Sequence, residues 1–218
     1  LTSVALDHMD VLGDTREAIA AEKLAVVQRG CVVVLGEPEW RDLAEENGAA
    51  EVVVTGRSNL ALAVAAAESF LGRPVDPHAA DAVELAGRLE RRGEQPLEIW
   101  DGAHNLAGIG WLLPRLPPAP GGWTIVASIL RDKRPGMMLE ALSVLGPTLV
   151  ATESSNGRTL SAAELAALGA AHFERVETAP DPTEARARGL ALAGPGGALL
   201  VTGSLYLLAD LSGEHRDL

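Results

Sequence analysis

The chain has 218 residues, of which 47% are hydrophobic and 22% charged, and a net charge of −12 at pH 7. This balance is typical of a folded globular protein and excludes disorder as the main state. The acidic charge argues against general electrostatic binding to nucleic acid, which requires clustered Lys and Arg. No apolar run reaches the ~18 residues of a membrane span, and the N-terminus lacks the basic region of a signal peptide.

The cysteine content sets a further limit. Cys31 is the one cysteine of the sequence, which excludes an internal disulfide and a Cys-based zinc cluster. A reducing compartment is consistent with that count, so we expect a cytoplasmic protein. Cys31 itself heads the apolar run 31–35 and is expected to be a small core residue.

The N-terminal part of the sequence contains few segments with the pattern of a strand. Helices are expected over 15–28, 40–47 and 60–71, and strands over 31–35 and 51–55. Two or three strands do not make a robust α/β core, so residues 1–72 are predicted to be the end of a larger domain. Residues 73–96, with Pro74, Pro77 and a charged stretch over 88–94, are predicted to be a short helix and a linker.

The C-terminal part, residues 97–218, alternates strands with helices. Strands are predicted over 97–100, 123–129, 148–152, 173–178 and 198–202. Helices are predicted over 106–116, 136–145, 161–171, 183–193 and 205–211, and Ser161 with Glu164 forms a capping box. This alternation predicts an α/β fold, with a Rossmann-like parallel sheet covered on both faces.

Residues 101–105, Asp-Gly-Ala-His-Asn, stand between a predicted strand and a helix. Ligands of open parallel sheets bind outside the carboxyl ends of strands, and a helix N-terminus there suits phosphate. Asp101 could accept bonds from sugar hydroxyls, and His104 could donate to a phosphate or move a proton. The alternative is that Asp101 and Asn105 merely cap the helix.

Three further clusters could carry chemistry. Residues 6–10, Leu-Asp-His-Met-Asp, precede Glu17, Glu22 and Lys23 and offer ligands for Mg²⁺ or Mn²⁺, although His8 could be structural and Lys23 a solvated charge. Residues 202–206 could form an anion site or a tight turn. Residues 155–158 end in Arg158, which could pair with a carboxylate or be an exposed loop residue.

Several catalytic signatures are missing from the sequence. It contains no Gly-x-x-x-x-Gly-Lys-Ser/Thr phosphate loop and no Gly-x-Gly-x-x-Gly after a strand. It also has no Gly-x-Ser-x-Gly elbow of a hydrolase.

Taken together, eight segments resemble the folylpolyglutamate synthase/dihydrofolate synthase family, a branch of the Mur ligases. They occur in the family's order, and they lie at 6–15, 22–23, 59–63, 87–90, 101–105, 130–133, 155–158 and 202–206. The resemblance implies the end of a central ATPase domain followed by a Rossmann-like ligase domain. It also implies a ligase that uses ATP and Mg²⁺ to phosphorylate a carboxylate of a folate or pteroate. Glutamate then attacks the acyl phosphate.

The resemblance also implies roles for individual residues. His8 would ligate the metal, and Lys23 would be N-carboxylated beside it. Asn59 and Arg88 would contact the nucleotide, Asp101 its ribose and His104 its phosphates. Lys133, Ser155 and Arg158 would face glutamate or the acyl phosphate. The catalytic set would thus comprise Lys23, Asp101, His104 and Lys133, in a monomer that binds small molecules rather than nucleic acid or membranes.

The sequence departs from the family pattern in three ways. Leu106 and Gly157 stand where prolines are usual, and Leu24-Ala25-Val26 replaces the usual Ala-Gly-Ile. The family's phosphate loop lies upstream of the segment 6–15, so we expect an incomplete enzyme that binds ATP weakly and turns over poorly. Two alternatives are a non-catalytic nucleotide- or metabolite-binding module on the ligase scaffold and a Mur ligase that acts on a UDP-sugar.

Overall fold

The computed structural model describes residues 1–4, 13–80, 83 and 85–213. It divides the chain into two units, Leu1–Val83 and Glu84–Leu218. The predicted linker over 73–96 is therefore shared between the units, and the second unit begins before residue 97. No helix among the described residues is long and apolar enough to cross a membrane.

Among its described residues, the first unit comprises a two-stranded parallel sheet and three α-helices. Its elements are α1 (Arg16–Leu24), β1 (Val32–Leu35), α2 (Arg41–Glu46), β2 (Glu51–Val54) and α3 (Asn59–Leu71), with 3₁₀ turns at Pro38–Trp40 and Pro77–Ala80. Thr15 caps α1 and Ser58 caps α3, each by accepting from a backbone N–H of the first turn. The α3 helix ends at Gly72, whose φ of 65° is the left-handed conformation that favours glycine.

The helix α1 ends at Leu24, four residues before the predicted end. The Val27 N–H donates to Leu24 O in a turn, and the Val26 side chain is 80% exposed. Because a helix continued to residue 28 would gain no buried apolar face at Val26, the chain turns toward β1 instead. The core of this unit lies between β1 and the first two helices. It is centred on Ile19, Leu24, Leu35, Trp40 and Ala44.

The second unit is a six-stranded sheet in the order β3-β4-β8-β5-β6-β7. Its strands are β3 (Glu90–Glu94), β4 (Leu97–Trp100), β5 (Trp123–Ala127), β6 (Thr148–Ala151), β7 (Arg175–Thr178) and β8 (Ala198–Thr202). Its helices are α4 (Leu106–Leu112), α5 (Pro135–Ser143), α6 (Ala162–Gly169), α7 (Pro182–Ala193) and α8 (Leu205–Ser212). The strands β4 to β8 pair in parallel, which confirms the predicted α/β fold.

Helices cover both faces of this sheet. One buried cluster contains apolar residues of α4, α5 and α6, and the other contains residues of α7 and α8. The central strands β5 and β8 are buried along their whole length, as strands covered on both faces must be. Gly189 lets α7 approach the sheet closely, because a Cβ there would lie 2.7 Å from Val126 Cγ2.

Part of the segment predicted to be a linker is instead the edge strand β3. Residues 90–94 form an antiparallel strand with Glu90 opposite Trp100, and a register shift between Arg91 and Gly93 marks a bulge. The sequence Glu-Arg-Arg-Gly-Glu lacks the apolar alternation of a strand, so periodicity alone did not predict it. A charged and bulged strand is nevertheless well suited to a sheet edge.

A buried ion pair joins β4 to α7. The Arg186 guanidinium donates to both oxygens of Glu98, at 2.6 and 2.7 Å, and Trp100 Nε1 donates to Oε1 at 2.7 Å. Burial opposes ionisation of Glu98, but these hydrogen bonds and the Arg186 charge outweigh it and lower the pKa of the carboxyl below its usual value. The glutamate therefore stays charged inside the fold.

Candidate functional site

Buried polar side chains follow four strands of the larger sheet where each strand ends. Asp101 follows β4, Ser128 β5 and Thr152 β6, and Ser204 follows β8; all are at most 2% exposed. Because the carboxyl ends of parallel strands lie at one edge of a sheet, these residues belong to the same edge. That edge is where open α/β sheets bind ligands.

Asp101 ties two segments together with its carboxylate. Its Oδ1 accepts from Ala103 N–H at 2.8 Å and its Oδ2 accepts from Leu89 N–H at 2.9 Å. The Gly102 N–H also donates to Gly87 O at 2.8 Å. Residues 87–89 are thereby fastened to residues 101–103. The helix-cap alternative holds for Asn105, which caps α4 by accepting from Gly108 N–H, but not for Asp101.

Arg88 and His104 lie on either side of Gly102. A Cβ built on Gly102 would lie 3.2 Å from Arg88 Nη1 and would collide with Leu205 of α8. His104 Nδ1 is 2.9 Å from Gly102 O, and because a carbonyl oxygen only accepts, Nδ1 carries the proton that is donated to it. The predicted residues Arg88, Asp101 and His104 are thus brought together.

The turn after β8 packs against the same segment. Gly203 N–H donates to Ala103 O at 3.1 Å, and a Cβ on Gly203 would lie 2.6 Å from Ser128 O. Its φ of 99° and this close approach both require glycine. Ser204 caps α8 by accepting from Tyr206 N–H. Among the described residues, the buried Ser128 Oγ has no hydrogen-bond partner.

The predicted residues Lys133, Ser155 and Arg158 have two different carboxylate partners. Lys133, 8% exposed, places Nζ 3.8 Å from Asp132 Oδ2, and Arg158 Nη1 is 3.6 Å from the same oxygen. Ser155 instead donates to Asp210 of α8 from both its N–H and its hydroxyl, each at 2.7 Å. Two cations therefore flank one carboxylate, while Ser155 holds its loop to α8.

The remaining predicted residues lie in the first unit. Lys23 is exposed in the last turn of α1, and Asn59 is the exposed first residue of α3, directly after the cap Ser58. The predicted metal ligand His8 and its neighbours lie outside the described residues. Within the described part of the chain, no group of three or more His, Cys, Asp or Glu side chains is arranged to hold a metal ion.

A buried carboxylate in the first unit was not predicted from the sequence. Glu37, 3% exposed, follows β1 and accepts from Val4 N–H, Trp40 Nε1 and Arg16 Nη2, and it also pairs with Arg57. Burial opposes its ionisation, but these partners outweigh burial and lower the pKa of Glu37 below its usual value. A glutamate two residues after the end of an apolar strand was the available signal.

The doubly covered parallel sheet and its buried polar edge define an α/β ligand-binding domain. Residues 87–205 match the family described as "Mur ligase, glutamate ligase domain", and the chain belongs to that family. Within the Mur ligases, its relatives place it on the folylpolyglutamate synthase/dihydrofolate synthase branch, as the sequence resemblance indicated.

Three relatives illustrate the similarity. Dihydrofolate synthase/folylpolyglutamate synthase of Bacillus subtilis is 26% identical over 97% of this chain and 61% of its own length. Folylpolyglutamate synthase of Mycobacterium tuberculosis, solved with ADP and AMPPCP, is 25% identical with a TM-score of 0.79, over 98% of this chain and 62% of its own. The bifunctional enzyme of Yersinia pestis, solved with AMPPNP and Mn, is 26% identical with a TM-score of 0.78, over 97% and 60%. The chain therefore spans about three-fifths of their length.

Proposed function

We propose that this chain forms part of an ATP-dependent ligase that adds glutamate to a folate or to dihydropteroate through an acyl phosphate. The observation that carries the proposal is the meeting of Arg88, Asp101 and His104 at the carboxyl edge of the sheet. Relatives over nearly the whole chain bear the corresponding names, and one was solved with ADP and AMPPCP. A cytoplasmic location and a monomeric state belong to the same proposal.

The nucleotide would be held by the segments that Asp101 fastens together. Each Asp101 oxygen already accepts one backbone N–H and retains a second lone pair, which can accept a ribose hydroxyl. Arg88 supplies a positive charge and a planar set of donors for phosphate oxygens. His104, oriented by the Gly102 carbonyl, would donate to a phosphate from Nε2 when doubly protonated. Asn59, in the first unit, is likewise proposed as a nucleotide contact.

Glutamate would be bound near Lys133 and Arg158. Both cations lie within 4 Å of Asp132 Oδ2, so the carboxylate of an incoming amino acid would compete with an existing partner. Arg158 is the more exposed of the two and can form a bidentate pair with a carboxylate. Ser155, held by Asp210, would position the loop that carries Arg158 and would itself face the substrate.

A divalent metal could bind beside Lys23 in the first unit only if the positive charge of that lysine were removed. Lys23 is exposed at the end of α1, and its ammonium group would repel Mg²⁺. Carbamylation, in which the deprotonated amine adds CO₂ and releases a proton to give N–COO⁻, would turn this cation into an anionic oxygen donor of the kind that Mg²⁺ prefers. We therefore propose that carbamylated Lys23 and His8 hold the metal. Bound Mg²⁺ would neutralise charge on the transferred phosphate.

Binding of Mg²⁺·ADP tests the nucleotide site without requiring turnover. Arg88→Met removes one charge-assisted contact, so its Kd should rise about tenfold. Arg91→Met is the matched control, since Arg91 pairs with Glu94 on the exposed edge of β3. Its affinity should equal that of the unaltered chain. Equal affinities of all three proteins would contradict the assignment of Arg88.

Release of ADP tests the reaction itself. The chain is supplied with ATP, Mg²⁺, glutamate and either dihydropteroate or tetrahydrofolate. Release that depends on one acceptor would establish the ligase and its substrate, and dependence on a UDP-muramoyl acceptor would overturn the folate assignment. We expect weak turnover, because the family's phosphate loop is not in this sequence. ADP binding with no turnover even in a chain that includes the phosphate loop would instead favour the binding module.

A further inference from the structure

The loop after β5 places a strained residue directly after Lys133. Lys133 N–H donates to Leu130 O at 3.1 Å, which closes a turn, and Arg134 follows with a φ of 54° and a ψ of 58°. Left-handed backbone is costly for a residue with a Cβ, and a residue before a proline, here Pro135, is biased toward extended backbone. Arg134 therefore has a conformation that two local preferences oppose.

The segment before β3 repeats this arrangement around Arg88. Arg88 N–H donates to Leu85 O at 3.1 Å, and Leu89 follows with a φ of 47°. Leu89 and Arg134 are the two non-glycine residues with a positive φ in the part of the chain that the structure describes. Each of them directly follows a basic residue of the candidate site. Strained backbone of this kind persists only where the surrounding structure holds it, and it is concentrated at functional sites.

Backbone hydrogen bonds on both sides hold Arg134 in this conformation. Before it, Arg131 N–H donates to Arg158 O at 2.9 Å, and after it, Met138 N–H donates to Arg134 O at 3.2 Å in the first turn of α5. Between these two attachments Lys133 is 8% exposed. The side chain of Arg134 is exposed and does not cap α5, so its contribution to this arrangement is the conformation of its backbone.

We propose that Leu89 and Arg134 are positioning residues, whose left-handed backbone sets the direction of the preceding cation. The N-caps Ser58 and Asn105 have the extended backbone that is usual at this position. Extended backbone at Arg134 would send the chain out of the turn in another direction, and the side chain that precedes it would lose its buried place. The link to nucleotide and glutamate binding rests on the proposed function.

Acetylation of lysine amines measures the position of Lys133 without any ligand. The sequence contains two lysines, and the exposed Lys23 is the internal reference, in buffer purged of CO₂ so that its amine stays unmodified. Arg134→Val should raise the ratio of Lys133 to Lys23 labelling about tenfold, because a β-branched residue tolerates positive φ least. Arg134→Gly should leave the ratio unchanged and raise Tm by about 2–5 °C, because glycine adopts this backbone without strain.

Arg134→Gln is the matched control for the side chain, because it removes the charge without adding a branch at Cβ. Its labelling ratio should equal that of the unaltered chain. Equal ratios in the Val and Gly variants, or a ratio raised in Arg134→Gln, would overturn the proposal. If Arg134→Val does not fold, Arg134→Gly decides, and a lowered Tm or a raised ratio in that variant would overturn the proposal.

Ligand affinities test the consequence for the site. Arg134→Val should raise the Kd for glutamate about tenfold and leave the Kd for Mg²⁺·ADP unchanged. Leu89→Ile, which keeps the apolar volume but adds a branch at Cβ, should do the reverse, so each variant is the control of the other. Equal effects of both variants on both ligands would overturn the separate positioning roles. Absence of binding by the unaltered chain would contradict the proposed function, whereas the labelling of Lys133 would still decide the role of Arg134.

Discussion

Asp101 shows how one residue can organise a site before any ligand is present. Its carboxylate is 2% exposed and spans the gap between residue 89 and residue 103. Arg88 and Gly102 stand next to those two anchor points in the chain. The carboxylate therefore controls the separation of the two segments that carry the candidate nucleotide-binding residues.

Asp101→Asn should destabilise the second unit by about 1–3 kcal/mol, because the amide presents an N–H₂ group to a backbone N–H that needs an acceptor. Urea unfolding of the two proteins measures the difference. Asp132→Asn is the matched control, since Asp132 is one-third exposed and its ion pairs with Lys133 and Arg158 are 3.8 and 3.6 Å long. An Asp101 variant as stable as the Asp132 variant would show that the carboxylate is not needed to hold the segments together.

At the scale of an element, a capping box caps the N-terminus of α6, and an arginine pairs with its glutamate. Ser161 accepts from Glu164 N–H, and Glu164 accepts from Ser161 N–H. Arg131 donates to both Glu164 oxygens at 2.9 and 3.1 Å. Hydrogen bonds from the Arg131 guanidinium, the Ser161 N–H and the Ser161 hydroxyl lower the pKa of Glu164 to about 2. The carboxylate links the start of α6 to the loop after β5.

This lowered pKa predicts a pH dependence of stability. A group whose pKa is lower in the folded chain contributes stability above its unfolded value, here 4.5, and that contribution is lost as pH falls toward 2. Glu164→Gln keeps the shape and removes the charge. The Tm difference between the two proteins should therefore be constant above about pH 5.5 and shrink toward zero near pH 2.

The exposed Glu174 provides the control for this measurement. Glu174→Gln should follow the unaltered protein at every pH. A Tm difference for Glu164→Gln that does not change between pH 5.5 and pH 2 would be inconsistent with the lowered pKa.

Sequence patterns predicted those elements whose signals are local. The capping box of α6 consists of two residues three positions apart. The strands β4 and β8 are short apolar runs with the predicted bounds. The strand β3 escaped prediction because a solvent-facing edge strand carries no apolar alternation. Pairing with β4 determines its conformation, and the hydrophobic periodicity of a segment contains no information about which strand it pairs with.

The candidate site was predictable in part for the same reason. Strand ends in a parallel sheet converge, so residues 101–105 and 202–206 were candidates for one site, and the two segments do meet. The attachment of Ser155 to α8 depends on Asp210, a residue 55 positions away. The burial of Glu37 likewise depends on Arg16 and Arg57, which no local pattern connects to it.

At the scale of the whole molecule, the two units differ in how complete their cores are. The second unit encloses two buried clusters on the two faces of six strands. Among its described residues, the first unit has one buried cluster and two strands, which is marginal for independent stability. All members of each cluster come from a single unit.

Residues 84–218 alone should therefore unfold in one cooperative transition, whereas residues 1–83 alone should not. Circular dichroism during urea titration of each piece measures this. The full chain under the same conditions is the reference for the helical signal of the folded state. A gradual, non-cooperative loss of signal from residues 84–218 would contradict the assignment of a self-contained core.

The charged rims of the larger sheet bear on how the protein behaves when concentrated or stored. At one rim, β3 carries exposed Arg91 and Glu94 and a bulge; at the other, Glu177 of β7 pairs with Arg175 and Arg188. Such rims resist the strand-by-strand addition that builds fibrils, because each new strand would bury charge. Among the described residues, the side chains that line the edge of β1 are those of Leu1, Val32, Val34, Ala66, Ser69 and Phe70, and none of them is charged. Insoluble material in aged samples should therefore grow from the first unit, and a covered β1 edge would extend the usable lifetime of the protein.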